Sequence, residues 1–308
     1  MKFQTSKPIL APRYFPGLWL TGEPKRMLLP MSESIRMVVK IGSMALIRKE
    51  ESDIDYNILS RLSRELTPGD ILVSSGATEI GRLDYIKRTG AALDGDPNEV
   101  KTDYAAQGQA ILMAHYRQFI RPEYSMRQVL VEHTHFNQLE KRAHIASLLL
   151  RAAEQGAIPI INYNDSVSDE ENRKMEISAL REETKSVVEG VDNDETAAVI
   201  ADIVGAKLLV ILTSTEGIYR DPADSSTLVH KVTGRTPDQI EANIRRLQRS
   251  CVGASRECAQ GAKAKLEYMI LPARRGTQII IAHSRHRIAD LIAGMVPCTR
   301  IGLTDSVD

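Results

Sequence analysis

At 308 residues, with 40 basic side chains against 40 acidic ones, the chain can bury a large core and carries no net field toward nucleic acid or an anionic membrane. Three cysteines, Cys251, Cys258 and Cys298, form no C-x-x-C pair, which argues against a disulfide framework and for a reducing cytosol. No apolar run reaches membrane-spanning length and the N-terminus lacks a signal-peptide core, so a cytoplasmic globular protein with no membrane partner is expected.

Residues 1–36 stand apart. Pro8, Pro12, Pro16, Pro24 and Pro30 oppose regular structure there, and Tyr14, Phe15 and Trp19 form an aromatic patch. The stretch reads as an irregular arm packed on the body or a neighbouring subunit, or as a docking segment for a partner. From Met37 onward, apolar β-branched runs alternate with helical patterns. Strands are expected at 37–41, 71–75, 128–132, 158–162, 208–213 and 278–282. Helices are expected near 53–66, 105–121, 137–155, 195–205, 236–249 and 259–269. This alternation predicts an α/β protein with a mostly parallel, doubly wound sheet. Residues 168–190 break the rhythm as an acid-rich polar stretch, either a solvated hairpin or helix, or a lid over a site.

Ligands of open α/β sheets gather at the carboxyl ends of the strands. Lys40 interrupts an apolar strand and is followed by Gly42 and Ser43, a pattern that suits either an edge-strand lysine or a phosphate grip. Ser75 and Gly76 end the next strand, where they read as a tight capped turn or as donors to an anion. Asn162, Asn164 and Asp165 end a third, and Asp165 could hold a substrate ammonium. In the turn Asp192-Asn193-Asp194-Glu195, ahead of an amphipathic helix expected from Thr196, one cap needs only one such residue. Lys263 and Lys265 follow Gly261 in a segment that reads as a solvated helix start or as a lysine reaching a terminal phosphate. Neither a P-loop nor a G-x-G-x-x-G fingerprint is present, and His133 and His135 lack further metal ligands at a useful spacing.

In this order the motifs resemble the amino-acid kinase family, and within it most closely the glutamate 5-kinases. The carriers are V-V-K-I-G-S (38–43), S-S-G-A (74–77), A-A-Q-G-Q (105–109), P-I-I-N-Y-N-D-S-V (159–167), D-N-D (192–194), and L-T (212–213) with downstream G-I-Y (217–219). The resemblance covers about residues 37–303 and implies a three-layer α/β/α sandwich, with the acceptor held by about 37–190 and the nucleotide by about 191–303. It implies an ATP- and Mg²⁺-dependent kinase that phosphorylates a carboxylate of glutamate or a related small acid, and a homo-oligomer, dimer or tetramer. Residue by residue, Lys40, Asp194 and Lys265 would be catalytic, with Mg²⁺ near Asp194. Ser75, Gly76, Asp165 and Asn193 would hold the acceptor. Gly42, Ser43, Thr213, Ser214, Tyr219, Gly261 and Lys263 would serve the nucleotide.

The chain departs from the family pattern at several points. Met44 replaces a second hydroxyl, Ser214 an aspartate and Tyr163 a glutamate, and the glycine loop is reduced to C-A-Q-G-A-K-A-K (258–265). The 168–190 insert is long, and no RNA-binding-like domain is expected after Ile301. These departures keep two alternatives open: a different acceptor (phosphate, phosphonate or peptide-linked carboxylate), or a non-catalytic ligand-binding regulatory protein.

Overall fold

The computed structural model describes residues 35–168, 170–183, 187–190, 192–251 and 256–304. Of the arm expected over 1–36, only Ile35 and Arg36 fall among them.

In chain order the elements begin with β1 (Met37–Ile41), the small antiparallel pair β2 (Ile47–Arg48) and β3 (Asp53–Ile54), α1 (Tyr56–Glu65) and β4 (Asp70–Ser74). Next come α2 (Ala77–Thr89), α3 (Pro97–Phe119), β5 (Ser125–Val131), α4 (Thr134–Asn137), α5 (Leu139–Glu154) and β6 (Ala157–Tyr163). The second half holds α6 (Glu170–Glu183), α7 (Asn193–Val204), β7 (Leu208–Thr213), β8 (Lys231–Gly234) and α8 (Pro237–Ser250). It closes with α9 (Arg256–Arg274), β9 (Gln278–His283), α10 (Ile288–Ala293) and β10 (Thr299–Leu303).

Eight strands form one sheet in the order β5-β6-β4-β1-β7-β9-β10-β8. Every ladder is parallel except that between β9 and β10. The expected doubly wound, mostly parallel sheet is therefore observed.

Side chains alternate across a strand, and the core divides accordingly. Val38, Ile71, Val73, Ile161, Leu209 and Ile211 point to one face, where α5, α7, α8 and α9 cover them. Met37, Val39, Ile41, Leu72, Ile160 and Leu212 point to the other, under α1, α2, α3 and α10. The result is the three-layer sandwich. Lys40 shares the parity of Val38, so it points toward the α7 layer. It lies in a central strand, opposite Val73 of β4 and Ile211 of β7, which removes the edge-strand reading.

Local chemistry explains the helix starts. Asp55 caps α1 by accepting from the Asn57 and Ile58 amides, both at 3.0 Å, and Asp96 caps α3 just before Pro97. Helices α2 and α3 cross very closely: a Cβ on Gly81 would stand 1.9 Å from the Tyr104 carbonyl oxygen, and one on Gly108 1.8 Å from that of Ala77.

Several elements differ from the sequence expectation. Helix α2, read only as a turn after Ser75-Gly76, runs for 13 residues. Strands β8 and β10 were not anticipated because neither carries the continuous apolar run of a doubly buried strand: β8 is K-V-T-G at the sheet edge, and β10 is interrupted by Arg300 and Gly302. The acid-rich stretch contains helix α6, which settles hairpin against helix. Helix α7 begins at Asn193, not Thr196, so the acidic turn is itself the first turn of the helix. Among the described residues, no helix is long and apolar enough to cross a membrane.

Candidate active site at the strand ends

The carboxyl ends of β1, β4 and β7 and the first turn of α7 surround a cavity of about 400 Å³, lined by Lys40, Gly42, Ser75, Asn193, Thr213 and Lys265 among others. Ser43, Met44, Asp192 and Ser214 complete much of its wall. The backbone shapes its floor. Gly42 N–H donates to the Leu212 carbonyl at 3.3 Å, and Ser75 N–H to that of Ile41 at 3.1 Å. Gly76 has φ of +108°, a left-handed conformation that favours glycine, and this turns the chain from β4 into α2.

The four polar residues that open α7 do four different things. Asp192 is the cap, its Oδ1 accepting from the Asp194 amide at 2.8 Å. Asn193 turns its carboxamide toward β4 and β6. Asp194, 5% exposed, meets two ammoniums: Lys40 Nζ stands 2.7 Å from its Oδ1, and Lys265 Nζ bonds its Oδ2. Glu195 Oε2 accepts from the Gly190 amide at 2.9 Å and so ties the incoming chain to the helix.

Burial alone would push the Asp194 carboxyl up. The charges of Lys265 and Lys40, with their hydrogen bonds, outweigh that and hold it below the usual carboxylate range. Lys40, Asp194 and Lys265 come from β1, α7 and α9, so the trio exists only in the folded chain.

Asn193 anchors a chain of amides. Its Nδ2 donates to Ser75 Oγ at 2.8 Å and to Asn162 Oδ1 at 3.2 Å. Asn162 Oδ1 also accepts from the Tyr163 amide at 2.9 Å, and Asn162 Nδ2 donates to Gln109 Oε1 at 2.9 Å. Both polar atoms of Asn162 therefore have partners, whereas the buried Asn193 Oδ1 and Gln109 Nε2 lack a hydrogen-bond partner among the described residues. Unsatisfied buried polar atoms are costly, and these two stand next to one another's partners in the same amide chain. Gln109 closes the A-A-Q-G-Q motif and Asn162 ends β6 as an apparent turn residue, and neither sequence pattern by itself marks a site residue.

Other expected site residues lie elsewhere. Asp165 lines a separate cavity of about 260 Å³ beyond β6. Tyr219 pairs with Leu228 in an isolated antiparallel bridge, and Gly261 and Lys263 are exposed positions within α9; none of these three lines the Lys40 cavity. Of the reduced glycine loop, Gly261 to Lys265 is helical. His133 Nε2 sits 2.9 Å from Glu176 Oε2 on α6, and His135 Nδ1 accepts from the Glu132 amide, so both have structural contacts.

Fold and site together define an α/β/α sandwich with a pair of lysines on one buried carboxylate at the strand ends. The amino acid kinase family model matches residues 36–283, and the chain belongs to that family. It is 29% identical over 293 residues to the glutamate 5-kinase of Paraburkholderia phymatum, a match spanning 88% of this chain and 68% of that protein. The glutamate 5-kinase of Alkaliphilus metalliredigens is 30% identical over 196 residues, which span 61% of this chain and 66% of that protein. Among solved structures, Giardia carbamate kinase is similar in fold, with a TM-score of 0.52 at 15% identity over 88% of this chain and 99% of that one. The Giardia lamblia carbamate kinase bound to AMP-PNP gives 0.55 at 13% identity, over 89% of this chain and 100% of that one.

Proposed function

We propose that this protein is an ATP-dependent kinase that phosphorylates a carboxylate of glutamate or a related small acid, working as a cytoplasmic homo-oligomer. The observation that carries this reading is the pair Lys40 and Lys265 on the wall of a strand-end cavity, both held by the buried Asp194 carboxylate behind them. An ionised carboxylate oxygen attacks the terminal phosphorus of ATP, the bond to the bridging oxygen of ADP breaks, and ADP leaves with that electron pair. The acceptor is already anionic, so no general base is required. The protein must align two anions and offset charge on the phosphoryl oxygens.

Lys40 and Lys265 supply that charge, and Asp194 positions their ammoniums. Ser75 and Asn193 sit where the acceptor's reacting end would lie, with the unfilled Asn193 Oδ1 beside it. Gly42, Ser43, Thr213 and Ser214 would face the phosphates, while Tyr219, Gly261 and Lys263 would lie farther along the nucleotide. On this reading about 37–190 serves the acceptor and about 191–303 the nucleotide.

Among the described residues, no three His, Cys, Asp or Glu side chains gather as a metal cage. Mg²⁺ would lie near Asp194, held mainly by phosphate oxygens, with Asp192 as the nearest carboxylate on the cavity wall. Bound with ATP, Mg²⁺ would neutralise phosphate charge.

The helical conformation of Gly261 to Lys265 favours a second reading, a regulatory protein that binds ligand without turnover. Incubation with ATP, Mg²⁺, hydroxylamine and a panel of acidic amino acids separates the two. The kinase reading expects ADP release together with a hydroxamate. Neither product with any acid removes it.

A further inference from the structure

The turn between β1 and β2 puts on the wall of the Lys40 cavity a side chain whose chemistry phosphoryl transfer does not use. Met44 lines that cavity and is 46% exposed, whereas its apolar neighbours on the wall, Ala45 and Leu212, are buried. The backbone beneath it is fixed. Ala45 N–H donates to the Gly42 carbonyl at 3.1 Å and Leu46 N–H to that of Ser43 at 3.0 Å, closing one tight turn over Ser43–Ala45. Leu46 and Ile47 are buried directly after it and anchor the turn in the core.

Scattered apolar residues facing bulk water are ordinary on a protein surface. Met44 instead shares a cavity wall with the Lys40 and Lys265 ammoniums, the Asp192 carboxylate and several hydroxyls. Its turn also borders both parts of the site. On one side a Cβ on Gly42 would stand 3.6 Å from Lys40 Nζ, and on the other a Cβ on Gly76 would stand 3.8 Å from Ser43 Cα. The first neighbour is the ammonium assigned to the transferred phosphoryl group, the second the loop assigned to the acceptor.

Chemistry selects which reactant a thioether can meet there. Close to its reacting phosphorus, a nucleoside triphosphate presents charged oxygens, and covering those with an apolar group costs free energy. The acceptor presents its ionised carboxylate and, one bond away, the carbon chain that bears it. Packing against those carbons removes apolar surface from water on both sides. Methionine is unbranched and adaptable, so it can follow a flexible chain.

We infer that Met44 is a specificity residue for the acceptor, packing on the carbons next to the reacting carboxylate and selecting against acids that carry a polar group there. The inference rests on the proposed function for the nature of the two reactants.

The test is calorimetric binding to the full chain, as wild type, Met44→Ser and Met44→Leu. The ligands are L-glutamate and 4-hydroxy-L-glutamate, which carries one hydroxyl on the carbon beside the side-chain carboxylate, taken as the reacting one. The wild type binds glutamate at least about fourfold more tightly than the hydroxylated acid, the scale of one covered CH₂ group. Met44→Ser binds glutamate about fourfold more weakly, and the preference between the two acids disappears. Met44→Leu restores both, because it returns the apolar volume. Affinity for AMP-PNP with Mg²⁺ is the same in all three proteins. Met44 is exposed, so all three share one urea midpoint.

The inference is overturned if Met44→Ser keeps the wild-type preference between the acids, if it weakens AMP-PNP as much as glutamate, or if neither acid binds the wild type. A preference that Met44→Ser abolishes, with no hydroxamate formed from either acid, keeps Met44 as the residue that selects the acid and removes the kinase reading. Hydroxamate formation from both acids, with the same ratio of kcat/KM in the wild type and Met44→Ser, does the reverse.

Discussion

Lys40 Nζ lies 2.7 Å from Asp194 Oδ1, joining the central strand of the sheet to the first turn of the helix above it. Both residues are nearly inaccessible, at 8% and 5% exposure, so the pair is formed where water does little to screen it. With Lys265 on the other oxygen, the one carboxylate faces two ammoniums, both of which line the cavity.

Asp194→Asn leaves those two ammoniums without their counter-charge. The variant is expected to lose about 10²–10³ in kcat, the scale of removing one preorganised electrostatic group, and about 3 kcal/mol of stability. Steady-state ADP release and urea denaturation measure the two effects. Near-normal kcat in a folded variant would show that Asp194 does not organise the transferred group.

The same carboxylate gives stability a pH dependence of known sign. Its folded pKa lies below the unfolded value of 3.8, so folding binds fewer protons at this group than unfolding does. The stabilisation is complete above 3.8 and is lost as pH falls through the folded pKa. Asp165 and Asp70, whose carboxyls burial pushes up, act in the opposite sense at higher pH, so the isolating measurement is a difference. The gap in unfolding free energy between the wild type and Asp194→Asn is large at pH 7 and narrows below pH 3.8. A gap independent of pH would mean that the variant acts by packing.

Asn193→Ala removes the donor shared by Ser75 and Asn162. The expected signature is a rise of about tenfold in KM for the acceptor with KM for ATP nearly unchanged, the cost of one to two hydrogen bonds. A rise confined to the ATP KM would place Asn193 on the nucleotide side.

Much of this arrangement was legible before the fold was known. Lys40 announced itself as a charge inside an apolar strand, and the acidic turn as more polar residues than one cap requires. What could not be read was partnership. Lys265 is 71 residues from Asp194, and no local pattern records that α9 brings it back to the head of α7. Lys101 and Arg173, on the wall of the Asp165 cavity, were invisible for a related reason, since a cation on a polar helix looks the same whether it faces solvent or a cavity. Strands β8 and β10 escaped because an edge strand and its neighbour need no continuous apolar run. Helix α2 was hidden behind a turn motif that proved to be its own N-terminus.

The crossing of α2 and α3 offers a test that links packing to the site. At Gly108 a Cβ would stand 1.8 Å from the Ala77 carbonyl oxygen and 2.4 Å from the Gly81 amide nitrogen. Both obstacles are backbone, so no side chain can swing aside, and Gly108→Ala must push the helices apart. Overpacking of this kind costs about 1–3 kcal/mol, read as a lower urea midpoint. The functional consequence follows from the next residue. Gln109 holds Asn162 through its Oε1, and Asn162 in turn holds Asn193. Displacing α3 should therefore raise the acceptor KM in protein that is still folded, in the direction of Asn193→Ala and to a smaller extent. Ala substitution at Gly276, where no atom lies within 4 Å of the added Cβ but φ is +94°, separates backbone strain from helix separation. It should lower stability and leave KM alone. If Gly108→Ala does the same, the amide chain does not depend on the position of α3.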